Sequence, residues 1–181
     1  MKKLKGTILL FVFVMSLVFM LTACGSKTNE GESGDKKILT LCTAKELTNL
    51  TTLTMNKENN VACGLIYETL VSYENGKIVP KLAESWEWKN EGKTLVFKLK
   101  EGVVFSDGEK FNAEAVKKIL DFDHSNPNFG GIRGVAEIES TEVIDENTIA
   151  IHYGNSSKFY LNAFCFQNVL GIASPKVITE G

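Results

Sequence analysis

Several signatures of catalysis are missing from this chain of 181 residues. It has no GxSxG elbow, no GxGxxG or Walker phosphate loop, and no pair of cysteines with CxxC spacing. It has only two histidines, His124 and His152, and neither belongs to a metal-spaced cluster such as HExxH. No nucleophile–base pair, nucleotide cradle or metal-ligand set follows from such a sequence. We therefore predict no catalytic residues, no metal ligands and no cofactor.

The first 24 residues have the pattern of a bacterial export signal. Three lysines within residues 2–5 precede an apolar run over residues 8–20, and Leu21-Thr22-Ala23 lead to Cys24. This ending resembles a lipobox, where bacterial lipoproteins are acylated on cysteine and cut in front of it. The pattern predicts a signal peptide over residues 1–23 and a lipid on Cys24 at the extracytoplasmic face of the cell membrane. The alternatives are an ordinary signal peptide or an uncleaved anchor, although the apolar run is shorter than the ~20 residues of a spanning helix.

Basic side chains are too few to indicate a nucleic-acid partner. The whole chain has 20 Lys and Arg against 22 Asp and Glu. Loss of residues 1–23 removes three lysines and leaves 17 basic and 22 acidic side chains, a net charge of −5. This balance excludes a cationic face for nucleic acid or for lipid headgroups. We therefore expect the membrane to be contacted through the Cys24 lipid alone.

The remaining cysteines carry little information about function. Three cysteines remain, which is an odd number, and each has apolar neighbours in the sequence: Cys42, Cys63 and Cys165. A disulfide cannot be assigned from such spacing. We expect three small buried hydrophobic side chains, and their redox state stays open.

The chain after Cys24 divides into a tether and one folded region. Residues 25–37 are polar and glycine-rich and have no apolar side chain to bury, so residues 24–37 are predicted to be flexible. The folded region is predicted over residues 38–181, beginning with a strand over residues 38–42. A short helix is predicted over residues 61–71, with Val61, Leu65 and Ile66 on one apolar stripe.

Two β-hairpins are predicted next. Asn75-Gly76 separates two short apolar segments, which is a strong hairpin signal. The second hairpin joins residues 85–88 to residues 93–100 through residues 90–92. In its second arm Leu95, Phe97 and Leu99 alternate with lysines, as in a half-buried strand.

The second half of the chain mixes helices and strands. Asn112 is the predicted N-cap of a helix that runs to about residue 122, and a glycine-rich, low-order segment follows through Gly134. A third strand pair is predicted over residues 135–144 and 148–153, with Ile149, Ile151 and Tyr153 inward. A helix over residues 159–166 and a strand over residues 169–173 complete the chain. Strands and helices do not alternate regularly, so the predicted class is α+β.

Three groups of side chains allow a functional and a structural interpretation. Trp86 and Trp88 share one strand face, where they either stack on a ligand or pack on a neighbouring element; packing is favoured. His124 together with Asp121 and Asp123 would make a small cation site, but solvated charges at a helix end are favoured. His152 is predicted to face solvent.

Residues 65–120 resemble a known family in several blocks that occur in order and at matching spacings. The blocks are residues 65–73, 76–86, 92–94, 97–103, 105–108 and 111–116. They resemble the opening signature of the peptide/nickel (family 5) solute-binding proteins of ABC importers. The resemblance extends over almost all of the chain after the signal peptide.

This resemblance implies a fold, a function and partners. The fold is the N-terminal portion of a two-lobed, class II periplasmic-binding-protein-like structure, with a mixed sheet, hairpins and short helices. The function is solute binding without catalysis, and the solute is an oligopeptide, nickel or a related small chelate. The implied partners are an ABC permease and its ATPase subunits. A second lobe is expected after Gly181. The alternatives are a single-lobe surface lipoprotein with a structural or interaction role, or a truncated product without function.

Ligand contacts are predicted from Asn60, Arg133 and Gln167. Arg133 lies in the glycine-rich segment, where its guanidinium either pairs with an anionic ligand group or is solvated. Asn60 either faces the cleft or caps the following helix. Some nickel-chelate receptors of the family have an arginine where this chain has Val169-Leu170-Gly171. The identity of the solute is therefore left open.

Overall fold

The computed structural model describes residues 40, 42, 50–52, 60–166 and 170–179, without the side chains of Asn60 and Thr179. Its helices and strands lie in the second of two compact units, Thr43–Gly181. In chain order they are α1 (Asn60–Ile66), β1 (Val71–Glu74), β2 (Lys77–Pro80), β3 (Ala83–Lys89), β4 (Thr94–Leu99), α2 (Ala113–Ser125), β5 (Ile138–Asp145), β6 (Thr148–Tyr153) and α3 (Lys176–Thr179). Single 3₁₀ segments occupy Asn90–Gly92, Pro127–Phe129 and Lys158–Cys165. None of the described helices is long and apolar enough to cross a membrane.

The first hairpin forms at the predicted turn. Strands β1 and β2 pair antiparallel from Val71↔Pro80 to Glu74↔Lys77. Asn75 and Gly76 have φ angles of 50° and 80°, as a tight two-residue hairpin turn requires. The Asn75-Gly76 prediction is therefore confirmed.

A four-stranded antiparallel sheet is built in the order β3-β4-β6-β5. Its first hairpin, β3–β4, turns through Asn90–Gly92, whose three residues all have positive φ. The second hairpin, β5–β6, joins the sheet by pairing β6 with β4. Both hairpins lie where the sequence predicts them, within about three residues at each end. The class is α+β, as predicted.

The core lies on one face of this sheet, where alternate residues of the two central strands point inward. The buried residues on this face are Leu95, Phe97 and Leu99 on β4, and Ile149, Ile151 and Tyr153 on β6. Helix α2 and the Lys158–Cys165 segment supply the other side of the core, and the rings of Phe97 and Phe164 lie 5.1 Å apart. The predicted inward residues are confirmed, but β4 is not half-buried, because Thr94 and Val96 on its other face are buried too.

Helix α2 begins at the predicted cap. The Asn112 side chain accepts a 2.9 Å hydrogen bond from the amide of Ala115. The helix ends at Ser125, three residues beyond the prediction, and buries an apolar stripe of Ala115, Val116, Ile119 and Leu120. Lys117 ties it to the edge strand β5, since its ammonium group donates to the Thr141 carbonyl oxygen at 3.1 Å and to the Thr141 hydroxyl at 2.8 Å.

The prediction for the first helix is wrong in two respects. Helix α1 ends at Ile66, because residues 69–71 turn into the first hairpin and the Thr69 hydroxyl donates to the Val71 carbonyl. The predicted stripe is not buried: Val61, Leu65 and Ile66 are all more than half exposed. With about two turns, the helix buries Cys63 instead.

Some other predictions need correction or fall outside the described residues. The strand predicted over residues 169–173 is absent from its described part, residues 170–173; the Ile172 amide makes one hydrogen bond, to the Glu68 carbonyl, without a ladder. The helix predicted over residues 159–166 is present as a 3₁₀ segment. Cys63 and Cys165 are buried as predicted, but Cys42 is exposed. The tether predicted over residues 24–37, and most of the strand predicted over residues 38–42, lie outside the described residues.

Candidate functional site

The four predicted site residues differ in what the structure describes of them. Cys24 and Gln167 lie outside the described residues. Asn60 is the first residue of α1, and only its backbone is described. Arg133 is described in full and is exposed. The geometry of a candidate site is therefore the geometry around Arg133.

The loop that carries Arg133 is fixed by turns on both sides. The Ile132 amide donates to the Phe129 carbonyl at 2.9 Å, and the Val135 amide donates to the Ile132 carbonyl at 3.1 Å. Phe129 and Val135 are buried in the core. The segment predicted to be low-order thus consists of hydrogen-bonded turns with apolar anchors. Arg133 is presented to solvent from a defined backbone.

Gly134 fixes this loop against the Lys158–Cys165 segment. Its φ of +96° is in the region that favours glycine, and a Cβ added there would lie 2.7 Å from the Tyr160 carbonyl oxygen. The Tyr153 hydroxyl donates to the Gly134 carbonyl at 3.1 Å, and the Gly134 amide donates to the Glu137 carboxylate at 2.7 Å. The Arg133 loop and the segment that leads towards Gln167 are therefore direct neighbours.

An exposed aromatic ring lies on the other side of this contact. Phe159 precedes Tyr160 and is 80% exposed. Sequence reasoning placed a helix here and did not identify Phe159 as a surface residue. The sequence does contain a signal for this exposure. Residues three apart share a face of a 3₁₀ helix, and Asn162, three residues after Phe159, is polar and exposed. Arg133 and Phe159, which we call the Arg133 surface, flank the contact between Gly134 and Tyr160.

The Arg133 surface is suited to an anionic group. Within the described part of the chain, Arg133 forms no ion pair, and the nearby Glu137 carboxylate is held by the Gly134 amide. A guanidinium binds a carboxylate through two parallel hydrogen bonds.

The cation site considered for the end of α2 does not assemble. His124 Nδ1 is 3.1 Å from the Val135 carbonyl oxygen, whereas Asp121 accepts from the Lys117 ammonium group at 2.7 Å. Asp123 is only 3% exposed, and its Oδ1 has no hydrogen-bond partner. Burial raises the pKa of Asp123 to about 8. The favoured alternative, solvated charges, is also wrong for Asp123, because the helix turns this residue into the core.

The other polar candidates have structural roles. His152 is half-buried. Its Nε2 lies 3.0 Å from Glu142 Oε2 and its Nδ1 lies 3.2 Å from the Thr94 hydroxyl, so the side chain links β6 to β5 and to β4. The prediction that it simply faces solvent is therefore wrong. Trp86 and Trp88 are half-buried against the core, which confirms the packing interpretation. Among the described residues, no three His, Cys, Asp or Glu side chains are placed to hold a metal ion.

A groove of about 420 Å³ lies where the chain enters the region of the two sheets, after α1, and leaves it, before α3. We call it the crossing groove. Its walls are the end of α1 with Tyr67 and Glu68, the loop of residues 103–111, and residues 172–177. Burial raises the pKa of the Tyr67 phenol, with a further contribution from Cys63. The crossing groove shares no lining residue with the Arg133 surface.

Comparison with known proteins gives a consistent result. The family model of bacterial extracellular solute-binding proteins, family 5, matches residues 77–178. The nickel-binding periplasmic protein of Escherichia coli K12 is 47% identical over 55 residues, which cover 30% of this chain and 10% of the relative. The glutathione-binding protein GsiB of Pectobacterium atrosepticum is 32% identical over 117 residues, which cover 63% of this chain and 22% of the relative.

A solved structure extends the likeness to the fold. NikA from Brucella suis, in complex with Fe(III)-EDTA, superposes with a TM-score of 0.64 at 31% sequence identity. The match covers 71% of this chain and 27% of that protein. The chain thus spans less than a third of the length of each of these three relatives.

Proposed function

The chain belongs to the bacterial extracellular solute-binding proteins of family 5, and we propose from this membership that it captures a small solute for an ABC importer. Its relatives are solute-binding proteins, not enzymes. In such a protein a cleft closes on the solute, and the closed state is selected by binding alone. The family match and the shared fold support this proposal.

The solute that we propose carries a carboxylate, as a small peptide or a metal chelate does. Two of the relatives are named for glutathione and for a complex with Fe(III)-EDTA, and both compounds bear carboxylates. The observation that supports this choice is the position of Arg133, exposed on an anchored loop and free of ion pairs among the described residues. A charge-assisted pair with a carboxylate contributes about 1.5–3 kcal/mol to binding.

The rest of the site is also a proposal. Asn60 and Gln167 would add amide hydrogen bonds to the polar groups of the solute, and Phe159 an apolar contact. The second wall of the cleft would come from a second lobe, because an open surface desolvates too little of a small ligand to bind it tightly. We propose that this lobe follows residue 181 in a longer form of the protein.

The setting that we propose is the outer face of the cell membrane. The amino-terminal pattern supports a lipid on Cys24, and residues 25–37 would act as a tether that lets the receptor reach a permease. The partners would be the permease and ATPase subunits of one importer. The net charge after loss of the signal peptide is −5, so the lipid, and not a basic face, would hold the protein to the membrane.

Equilibrium binding tests this proposal. The protein is purified from membranes of the producing cell and titrated with Fe(III)-EDTA, glutathione and trialanine. We expect at least one of these compounds to bind, and Arg133→Gln to weaken it about tenfold or more, equivalent to ~1.4 kcal/mol. Arg133→Lys should retain part of the affinity.

A matched control separates the site from total charge. Lys118 is an exposed cation on α2, and Lys118→Gln removes the same charge elsewhere. Equal affinities of the Arg133→Gln and Lys118→Gln proteins would contradict the role of Arg133. A folded protein that binds none of the three compounds would favour the structural or interaction role over transport.

A further inference from the structure

A carboxylate is fixed beside the backbone of Arg133. Glu137 Oε2 accepts a hydrogen bond of 2.7 Å from the Gly134 amide, whose nitrogen is bonded directly to the carbonyl carbon of Arg133. Standard bond lengths therefore place this carboxylate oxygen within about 5 Å of the Arg133 Cα. The negative charge of Glu137 thus lies at the base of the Arg133 side chain.

The fold holds Glu137 in this position. Glu137 is half-buried, and the next residue, Ile138, is buried as the first residue of β5. The Gly134 carbonyl accepts a hydrogen bond from the Tyr153 hydroxyl at 3.1 Å, so both polar backbone groups of Gly134 are bonded within the fold. Burial raises the pKa of the Tyr153 phenol, with further contributions from Tyr160 and Glu137, so Tyr153 adds no charge at neutral pH. Glu137 is therefore the anion that the fold places beside the Arg133 loop.

The charges of Arg133 and Glu137 are both unpaired in the described part of the chain. The two side chains do not form an ion pair with each other, and neither forms one with another described residue. Arg133 is exposed, whereas Glu137 is half-buried. A solute that reaches the guanidinium from solvent thus meets a cation with a fixed anion close to its base.

This arrangement affects solutes differently according to their charge. The guanidinium of Arg133 can bind one carboxylate of any solute that presents it. Every further negative charge of the solute is repelled by Glu137, because like charges a few ångströms apart interact unfavourably at a protein surface. A solute that also carries a positive group gains an attraction to Glu137 that offsets this repulsion. A fixed like charge of this kind gives specificity by weakening the binding of the wrong ligand.

We infer that Glu137 is a specificity-determining residue for solute binding at Arg133, because its fixed carboxylate selects against solutes with net negative charge. The inference rests on the solute capture proposed above. It favours solutes whose carboxylate is balanced by a cationic group in the same molecule, as in a short peptide, over anionic metal chelates such as Fe(III)-EDTA. Arg133 then requires a carboxylate, and Glu137 limits the additional negative charge that the bound solute carries.

Equilibrium binding of three probes to the protein purified from membranes of the producing cell tests the inference. Trialanine has one carboxylate and one ammonium group, N-succinyltrialanine has two carboxylates and no cation, and Fe(III)-EDTA is a chelate with net negative charge. Glu137→Gln removes the charge but keeps an oxygen that accepts from the Gly134 amide. We expect this variant to bind the two anionic probes about fivefold more tightly than the unaltered protein does, with the trialanine affinity unchanged or reduced.

Further measurements separate the charge of Glu137 from its contacts. Glu84→Gln removes the same charge on β3, three strands from β5 and about 14 Å away, and should leave all three affinities unchanged. Higher salt should reduce the gain in the Glu137→Gln protein, because screening weakens interactions between charges near the surface. Glu137→Ala removes both the charge and the hydrogen-bond acceptor, and it should change the preference between trialanine and N-succinyltrialanine as Glu137→Gln does.

The outcomes distinguish this inference from the proposed function. If Glu137→Gln changes the affinities of all three probes by one factor, or if only Glu137→Ala changes them, Glu137 acts through the fold and the inference is wrong. An unchanged preference in the Glu137→Gln protein, while Arg133→Gln weakens binding, contradicts the inference alone and leaves solute capture standing. Failure of both the unaltered and the Glu137→Gln proteins, when folded, to bind any probe contradicts both.

Discussion

Gly134 lies against the backbone of Tyr160 so closely that a Cβ on Gly134 would be 2.7 Å from the Tyr160 carbonyl oxygen. This contact joins the loop of Arg133 to the segment that carries Phe159. It brings together two regions distant in sequence, and in each the residue before the contact, Arg133 or Phe159, is exposed. The position of Arg133 therefore depends on a residue without a side chain.

Replacement of Gly134 by alanine should destabilise the protein. The positive φ costs an L-residue about 1–2 kcal/mol, and the overlap with Tyr160 adds a similar amount, so we expect a loss of about 3 kcal/mol. Gly131→Ala is the control, because a Cβ there meets nothing within 4 Å. Urea unfolding followed by circular dichroism measures both. A Gly134→Ala protein as stable as the Gly131→Ala protein would show that the loop does not pack as described.

Asp123 should make stability fall as the pH rises. Its pKa is about 8 in the folded protein, because of burial, and about 3.9 when unfolded. Between these values the folded state holds a proton that the unfolded state has lost. The free energy of unfolding should therefore decrease by up to ~1.4 kcal/mol per pH unit from this group, and level off above pH 8.

Asp123→Asn tests this pH dependence. Asparagine cannot ionise, so the unfolding free energy of this variant should vary less between pH 5 and pH 8 than that of the unaltered protein, as measured by urea denaturation at several pH values. Glu139→Gln, at an exposed position of β5, should leave the slope unchanged. If the slopes of the Asp123→Asn and unaltered proteins coincide, Asp123 is ionised in the fold.

Lys117 should contribute to stability through the edge of the sheet. Its ammonium group satisfies the Thr141 carbonyl and hydroxyl and pairs with Asp121. Lys117→Met removes these bonds, whereas the Thr141 hydroxyl still donates to Asp121, so the loss of stability should be about 0.5–1.5 kcal/mol. Lys118→Met, one residue further on the exposed face, should change stability by less than about 0.5 kcal/mol. Thermal unfolding of both variants measures the two losses of stability. Equal losses in the Lys117→Met and Lys118→Met proteins would show that the Lys117 contacts do not stabilise the fold.

Cys24 should be the site of lipid attachment. Labelled palmitate fed to the producing cell should appear in the protein and disappear in a Cys24→Ser variant. Cys42→Ser is the control, because Cys42 is the exposed cysteine of the described residues. Incorporation that persists in Cys24→Ser but is lost in Cys42→Ser would place the lipid elsewhere.

Local sequence signals predicted much of the fold. The Asn75-Gly76 turn, the inward residues of β4 and the Asn112 cap depend on neighbours within a few residues, and all three are confirmed. Such features are encoded in backbone preferences and in the period of the side chains, which a single sequence contains.

Features that depend on distant contacts were not predictable in the same way. The apolar residues of α1 predicted a buried stripe, yet Leu65 and Ile66 face outward at the crossing of the chain. A strand is predicted over residues 169–173, but residues 170–173 form none, and the Ile172 amide bonds to the Glu68 carbonyl without a ladder. The close approach of Gly134 to Tyr160, which joins the Arg133 loop to the Lys158–Cys165 segment, cannot be read from spacing along the chain. The roles of Asn60, Arg133 and Gln167 in binding stay predictions.

Uptake of labelled solutes tests the central claim most directly. Cells of the producing organism, with and without the gene, are given radioactive nickel, glutathione or a tripeptide at low concentration. The proposed receptor role predicts that deletion abolishes uptake of at least one of these solutes, that the unaltered gene restores it, and that Arg133→Gln restores it only weakly. Undiminished uptake of every solute in the deletion strain, under conditions in which the protein is normally produced, would contradict the account.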